Sequence, residues 1–182
     1  MIGRVVAIGG PPGSGKSTAG RRVADALGLT YHSAGDLFRA QAKERGLDLE
    51  AYGHYAESHP EVDRQLDERM QALARPGALL DGRVQAALCR RNGRAVYALV
   101  VTADEEVRAE RVARRDGQPF EEARRRIRDR AASEHERYRR LYGLDPDADT
   151  PDLLLDSTHL SADEVTQQIS DFLRGRTERE RP

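Results

Sequence analysis

The chain has little sulfur chemistry, few lysines and no long apolar run. Its one cysteine, Cys89, can form no internal disulfide, so nothing requires an oxidising compartment and a buried, inert thiol is expected. No stretch approaches the ~20 apolar residues of a membrane-spanning helix. The start, "MIGRVVAIGGPPG", reaches glycine and proline too soon for a secretory signal peptide, so a cytoplasmic protein is expected. Excess charge of one sign is missing too: 30 basic residues face 31 acidic ones, a net charge of −1. Nucleic acid and anionic membranes both select for a basic surplus, so neither is an expected partner. The absence of an obvious exposed apolar stripe points to a monomer. The histidines, at 32, 54, 59, 135 and 159, show no zinc-ligand spacing.

What is present is an alternation of strand and helix signals. At 182 residues the chain suits one domain over 1–182 with one substantial core. "RVVAIGG" reads as a buried strand, followed by a glycine loop and "STAGRRVADALG", in which Ala19, Val23, Ala24 and Leu27 recur at helical spacing and Gly28 ends the helix. A short strand near "LTYHS" leads into three helical pieces separated by Gly46 and Pro60, with Asp48 and Pro60 as start signals. "GALLDG" is an apolar run closed by an acid, and "AVYALVVTA" reads as a strand buried on both faces. Two charged helices, a strand at "DLLLDST" and a helix at "SADEVTQQISDFLRG" complete the pattern, with a polar tail from 175 to 182 expected to fray. The order predicts an α/β fold, a five-stranded parallel sheet covered by helices on both faces.

Gly10 to Ser17, "GPPGSGKS", fits G-x-x-x-x-G-K-[ST] at every position. Glycines there let successive backbone N–H groups turn inward around an anion, and the following helix adds its positive N-terminal end. Gly10, Pro11, Pro12, Gly13, Ser14, Gly15, Lys16, Ser17 and Thr18 are therefore the expected ATP-binding segment. Lys16 would reach the β- and γ-phosphates and the Ser17 hydroxyl would ligate Mg²⁺. The dinucleotide motif G-x-G-x-x-G cannot be read in phase, because no third glycine follows Gly13 and Gly15. Asp81, closing the run "ALLDG", is the expected second metal contact, with a turn or cap acid as the plainer alternative.

Such a loop serves switches, motors and small-molecule kinases, and the chain has neither an N-K-x-D guanine-reading motif nor an "LSGGQ"-like signature. "HSAGDLFR", His32 to Arg39, resembles a segment of the nucleoside monophosphate kinases, whose arginine grips the acceptor phosphate. The resemblance implies that role for Arg39, with Ser33 and Asp36 nearby. "LLDGR" is similar to a stretch of the cytidylate kinases and implies a second acceptor-phosphate arginine, Arg83; two guanidinium groups on one monophosphate donate paired hydrogen bonds. Arg130, Glu134 and Arg137 show the R-x-x-x-E/D-x-x-R spacing of the cytidylate kinase lid, and steps of four and three keep them on one helical face. Between Arg108 and Arg140 twelve arginines face seven acids, so two to four of them are expected on phosphate, with Arg111, Arg115 and Arg128 in reserve and the rest solvated.

The chain from about 4 to 173 most resembles the archaeal-type cytidylate kinases, whose acceptor-side insertion is short and helical. That resemblance implies a P-loop NTPase fold with acceptor-binding helices over about 36–75 and a lid over about 108–142. The implied reaction uses ATP and Mg²⁺ to convert CMP or dCMP to the diphosphate, with Lys16, Arg83, Arg130 and Arg137 as the catalytic charges. Cytosine presents an amino donor where uracil presents an acceptor, so a carboxylate could discriminate between them. Asp36, Asp63 and Asp67 are candidates, with Arg64 for the ring carbonyl. The alternatives are a P-loop kinase for UMP or another small phosphate or alcohol, and, from a different class, a nucleotide-dependent binding switch.

Overall fold

In the computed structural model, which describes residues 2–148 and 150–179, five parallel strands carry eight helices among the described residues. They run β1 (Val5–Gly9), α1 (Lys16–Leu27), β2 (Thr30–Ser33), α2 (Ala34–Glu44), α3 (Leu49–Ser58), α4 (Glu61–Ala72) and β3 (Ala78–Asp81). Then come α5 (Gln85–Arg91), β4 (Val96–Thr102), α6 (Glu105–Asp116), α7 (Phe120–Tyr142), β5 (Leu153–Asp156) and α8 (Ala162–Arg179). The sheet order is β2-β3-β1-β4-β5. In register, Ile8 pairs with Asp81 of β3 and with Leu99 of β4.

Period-two alternation explains why the central strands β1, β3 and β4 are almost wholly apolar. In β1, Val6 and Ile8 join Val23, Leu99, Val101, Ile169 and Leu173 under α1 and α8. Val5 and Ala7 face the other way, against Leu66, Met70, Leu80, Cys89 and Ala98 under α4 and α5. Both faces are buried, as a parallel sheet requires. Cys89 has no exposed surface and receives a weak contact from Gln71 Nε2 at 3.6 Å, and burial raises its thiol pKa.

Helix boundaries follow local chemistry. Asp48 caps α3 by accepting from Ala51 N–H at 2.8 Å, and Pro60 precedes α4, as the start signals predict. Gly28 ends α1 at φ 63°, with its N–H on the Ala24 carbonyl. Two elements depart from the sequence expectation. The stretch after "LLDGR" forms α5, whose Gln85, Ala86, Leu88 and Cys89 are buried at i, i+1, i+3, i+4 spacing too short to stand out. The tail expected to fray from 175 is helical through Arg179, continuing α8; residues 180–182 lie outside the described residues. No helix among the described residues is long and apolar enough to cross a membrane.

This topology fixes the site. From β1 the chain moves to one side of the sheet and from β3 to the other, so a crevice opens beyond the carboxyl ends of β1, β3 and β4. The glycine loop, Asp81 and Arg83 all lie at those ends.

Candidate active site

A cavity of about 950 Å³ occupies the crevice, lined by residues 12–19, by Asp81–Arg83, and by side chains of α2, α3, α4, α6 and α7. The glycine loop owes its shape to its glycines. A Cβ on Gly10, at φ +134°, would stand 2.0 Å from the Val101 carbonyl oxygen, and one on Gly13, at φ +83°, would stand 2.7 Å from that of Arg108. No other residue fits at these positions. Arg108 braces the loop from outside by donating to the Pro12 carbonyl at 3.2 Å. Lys16 opens α1 and its ammonium reaches back to the Pro11 carbonyl at 3.4 Å. Burial lowers its pKa, with the Asp81 carboxylate partly opposing that pull.

Asp81 is buried at the end of β3 and accepts from the Tyr31 hydroxyl at 2.6 Å, which fixes its carboxylate; nothing in the sequence pattern marked Tyr31. The Ser17 hydroxyl and the Asp81 carboxylate are hard oxygen donors of the kind Mg²⁺ takes, and both line the cavity. The donor set fits that ion.

Opposite the loop stand the arginines. Arg83 is buried, its side chain 5 % exposed, with Nε 3.1 Å from Glu134 Oε2 and Nη2 3.0 Å from Asp147 Oδ1. These contacts are ion pairs without hydrogen-bond alignment, so none of its guanidinium nitrogens completes a hydrogen bond. Glu134 is shared: its Oε1 accepts from Arg130 Nε at 2.7 Å. Burial by itself would raise the Glu134 carboxyl pKa, but Arg130 and Arg83 hold it below the usual range. Glu134 is therefore the buried anion around which two cavity arginines are arranged, a larger role than the lid spacing suggested.

Arg39 lies over Gly35 at the start of α2 and lines the cavity. Asp36 does not line it: this carboxylate bridges Arg39 and Arg21, and the Ser33 hydroxyl caps α2 by accepting from Asp36 N–H at 3.1 Å. Asp63 lines the cavity, with both its oxygens 2.8 Å from Arg137 Nη1. Arg137 thus lines the cavity with its charge paired to Asp63. Asp67 departs from its expected place. It is buried away from the cavity, accepting from Gln85 Nε2 at 2.6 Å and the Tyr142 hydroxyl at 3.0 Å. Among the reserves, Arg111 and Arg115 line the cavity, whereas Arg128 pairs with Glu105 outside it, and Arg64 does not line it. Arg111 is held by Ser157, donating to its Oγ at 2.9 Å and its carbonyl at 2.7 Å.

Comparison with known proteins agrees with this geometry. The model of the cytidylate kinase-like family matches residues 5–159. The cytidylate kinase of Methanopyrus kandleri is 41 % identical over 190 residues, covering 100 % of this chain and 98 % of that protein. That of Aeropyrum pernix is 39 % identical over 170 residues, covering 92 % and 93 %. Among solved structures, the fold is shared with a shikimate kinase from Acinetobacter baumannii in complex with shikimate, at TM-score 0.61 and 16 % identity over 95 % of this chain and 94 % of that one. A gluconokinase from Sinorhizobium meliloti superposes at TM-score 0.55 and 17 % identity, over 98 % and 95 %. With the family match spanning the whole sheet and identities this high over nearly the full length, the chain belongs to the cytidylate kinase-like family.

Proposed function

We propose that the protein is a cytidylate kinase, transferring the γ-phosphoryl group of ATP to CMP or dCMP to give ADP and CDP or dCDP. The observation that carries this reading is Arg83: a buried guanidinium, ion-paired through Nε and Nη2 but with Nη1 unpartnered, lining the same cavity as a triphosphate loop. Buried donors are nearly always satisfied, so a ligand anion is the natural partner. The full-length identity to cytidylate kinases supports cytidine as the base.

In this mechanism the backbone N–H groups of residues 13–18 hold the triphosphate, Pro11 and Pro12 having none to donate. Lys16 neutralises the β- and γ-phosphates, and its lowered pKa follows from the desolvated position that this task demands. Ser17 and Asp81 would hold Mg²⁺, which supplies further neutralisation of phosphate charge. Arg39 and Arg83 orient the acceptor phosphate, one of whose oxygens attacks the γ-phosphorus while the bond to the β–γ bridging oxygen breaks. The protein supplies no covalent nucleophile; position and charge supply the rate.

Arg130, on Glu134, serves the transferring group from the lid helices α6 and α7, while the Asp63–Arg137 pair walls the acceptor side formed by α2, α3 and α4. Closure of these helices excludes water, which would otherwise compete for the phosphoryl group. On this reading the protein works as a cytoplasmic monomer on small-molecule substrates.

The test is coupled ADP release from ATP·Mg²⁺ with CMP, dCMP, UMP, AMP and GMP and without acceptor, where a selective rise with CMP or dCMP is expected at ~1–100 s⁻¹. Equal rates across the five acceptors would sink the cytidylate assignment. Lys16→Met should lower kcat on the order of 10²–10³-fold with the fold intact by circular dichroism. Arg39→Ala should act mainly on the KM for CMP; wild-type kinetics in that variant would overturn its assignment.

A further inference from the structure

Arg83 is a long side chain whose posture is set from a segment the proposed reaction does not use. The loop after α7 brings Asp147 to its Nη2 at 3.0 Å, and Asp147 does not line the cavity. The carboxylate is itself held: His135 Nε2 lies 2.6 Å from its other oxygen, and its backbone N–H donates to Asp145 Oδ1 at 2.9 Å. Asp145 in turn lies 3.4 Å from His135 Nδ1. Burial would raise the Asp147 pKa, but His135 and Arg83 hold it low, so the group is ionised at neutral pH.

The loop is also tied to α5, the helix that begins just after Arg83. Arg91 donates to the Tyr142 carbonyl at 2.7 Å and Arg90 to that of Thr150 at 3.0 Å. Asp147 and Arg83 are thus referenced to the same helix. His135, Asp145 and Asp147 come close enough to hold a cation, but Asp147 is already paired with Arg83, so the cluster reads as a strut.

We propose that Asp147, held by His135, is a positioning residue that fixes the Arg83 guanidinium from outside the cavity so that its remaining donors face the acceptor phosphate. With Glu134 on Nε and Asp147 on Nη2, the free end of the fork is Nη1. An unheld arginine would pay its rotamer entropy on every binding event, and the acceptor would bind more weakly. The identity of that phosphate rests on the cytidylate kinase reading; the strut itself does not.

Steady-state kinetics of Asp147→Asn, with whichever monophosphate the wild type phosphorylates, test it. The expected result is a rise of about tenfold in the acceptor KM, with the KM for ATP and the melting temperature unchanged. Asp147→Glu should recover part of the loss, and His135→Ala should shift the acceptor KM in the same direction by less. In an Arg83→Lys background Asp147→Asn should add little, because the group it positions is gone. An unchanged acceptor KM, a fall in it, which would mean that Asp147 competes with phosphate for Arg83, or an equal rise in both KM values overturns the proposal. If Asp147→Asn does not fold, His135→Ala, alone and in the Arg83→Lys background, reads the same coupling. A wild type active on UMP but not on CMP would overturn the base assignment and leave the strut to stand or fall on the variants. A wild type inactive on every monophosphate overturns both.

Discussion

Asp67 carries a titration that no step of the reaction uses. Burial pushes its carboxyl up to about 7, even though Tyr142 and Gln85 donate to it. In the unfolded chain an aspartate titrates near ~3.9. Between those values the folded state holds a proton that the unfolded state releases, so this group makes stability fall as pH rises from about 4 to about 7, with no further loss above. Asp67→Asn, which keeps an acceptor for Gln85, should remove that slope. Urea denaturation of both proteins at pH 5 and pH 8 checks it: the variant should gain on the wild type between the two, and a pH-independent difference would refute the assignment. Asp67 shows what the sequence could not disclose. It lies one helical turn after Asp63, on the same face of α4, yet Asp63 meets the cavity and Asp67 meets Gln85 and Tyr142. Local spacing cannot divide such a pair, because partners remote in sequence decide it. The glycine loop was legible for the opposite reason: its geometry is set by the backbone freedom of the residues in the motif.

Among the elements, α7 shows both outcomes. The spacing of Arg130, Glu134 and Arg137 correctly predicts one inward face, since all three line the cavity. Charge count says nothing about which arginines are free. Arg124 and Arg128 share Glu105, and Arg125 pairs with Glu50 and Asp129. Arg137 and Asp63, with side chains 6 % and 3 % exposed, join α7 to α4. Removing one partner strands the other as a buried charge, so Arg137→Ala should cost about 3–5 kcal/mol. An Asp63→Leu, Arg137→Met double variant should recover much of that loss in the same denaturation assay. If Arg137→Ala is as stable as wild type, the pair does not join the helices. The short α5 was missed because seven residues give too few turns for a period to emerge, although it anchors both Arg83 and the loop after α7.

On the scale of the whole molecule, strand order was the least legible property and the most consequential. Alternating elements implied a parallel sheet, but only the β2-β3-β1-β4-β5 order places Lys16, Asp81 and Arg83 at one crevice between α2–α4 and α6–α7. Since α7 faces both sides of that cavity, ligands at the two ends should help each other bind. ADP and CMP together should raise the melting temperature by more than the sum of their separate shifts, each about 5–10 °C at a hundredfold excess over Kd. Strictly additive shifts would mean that the lid does not couple the two ends. One further property follows from Cys89, on α5 and sealed against the sheet and α4. A thiol reagent finds no target in the closed protein and a single one when that layer lifts, so the labelling rate is a clock for opening on the acceptor side. If CMP slows the clock while ADP leaves it running, the acceptor half of this molecule breathes separately from the half that holds the triphosphate.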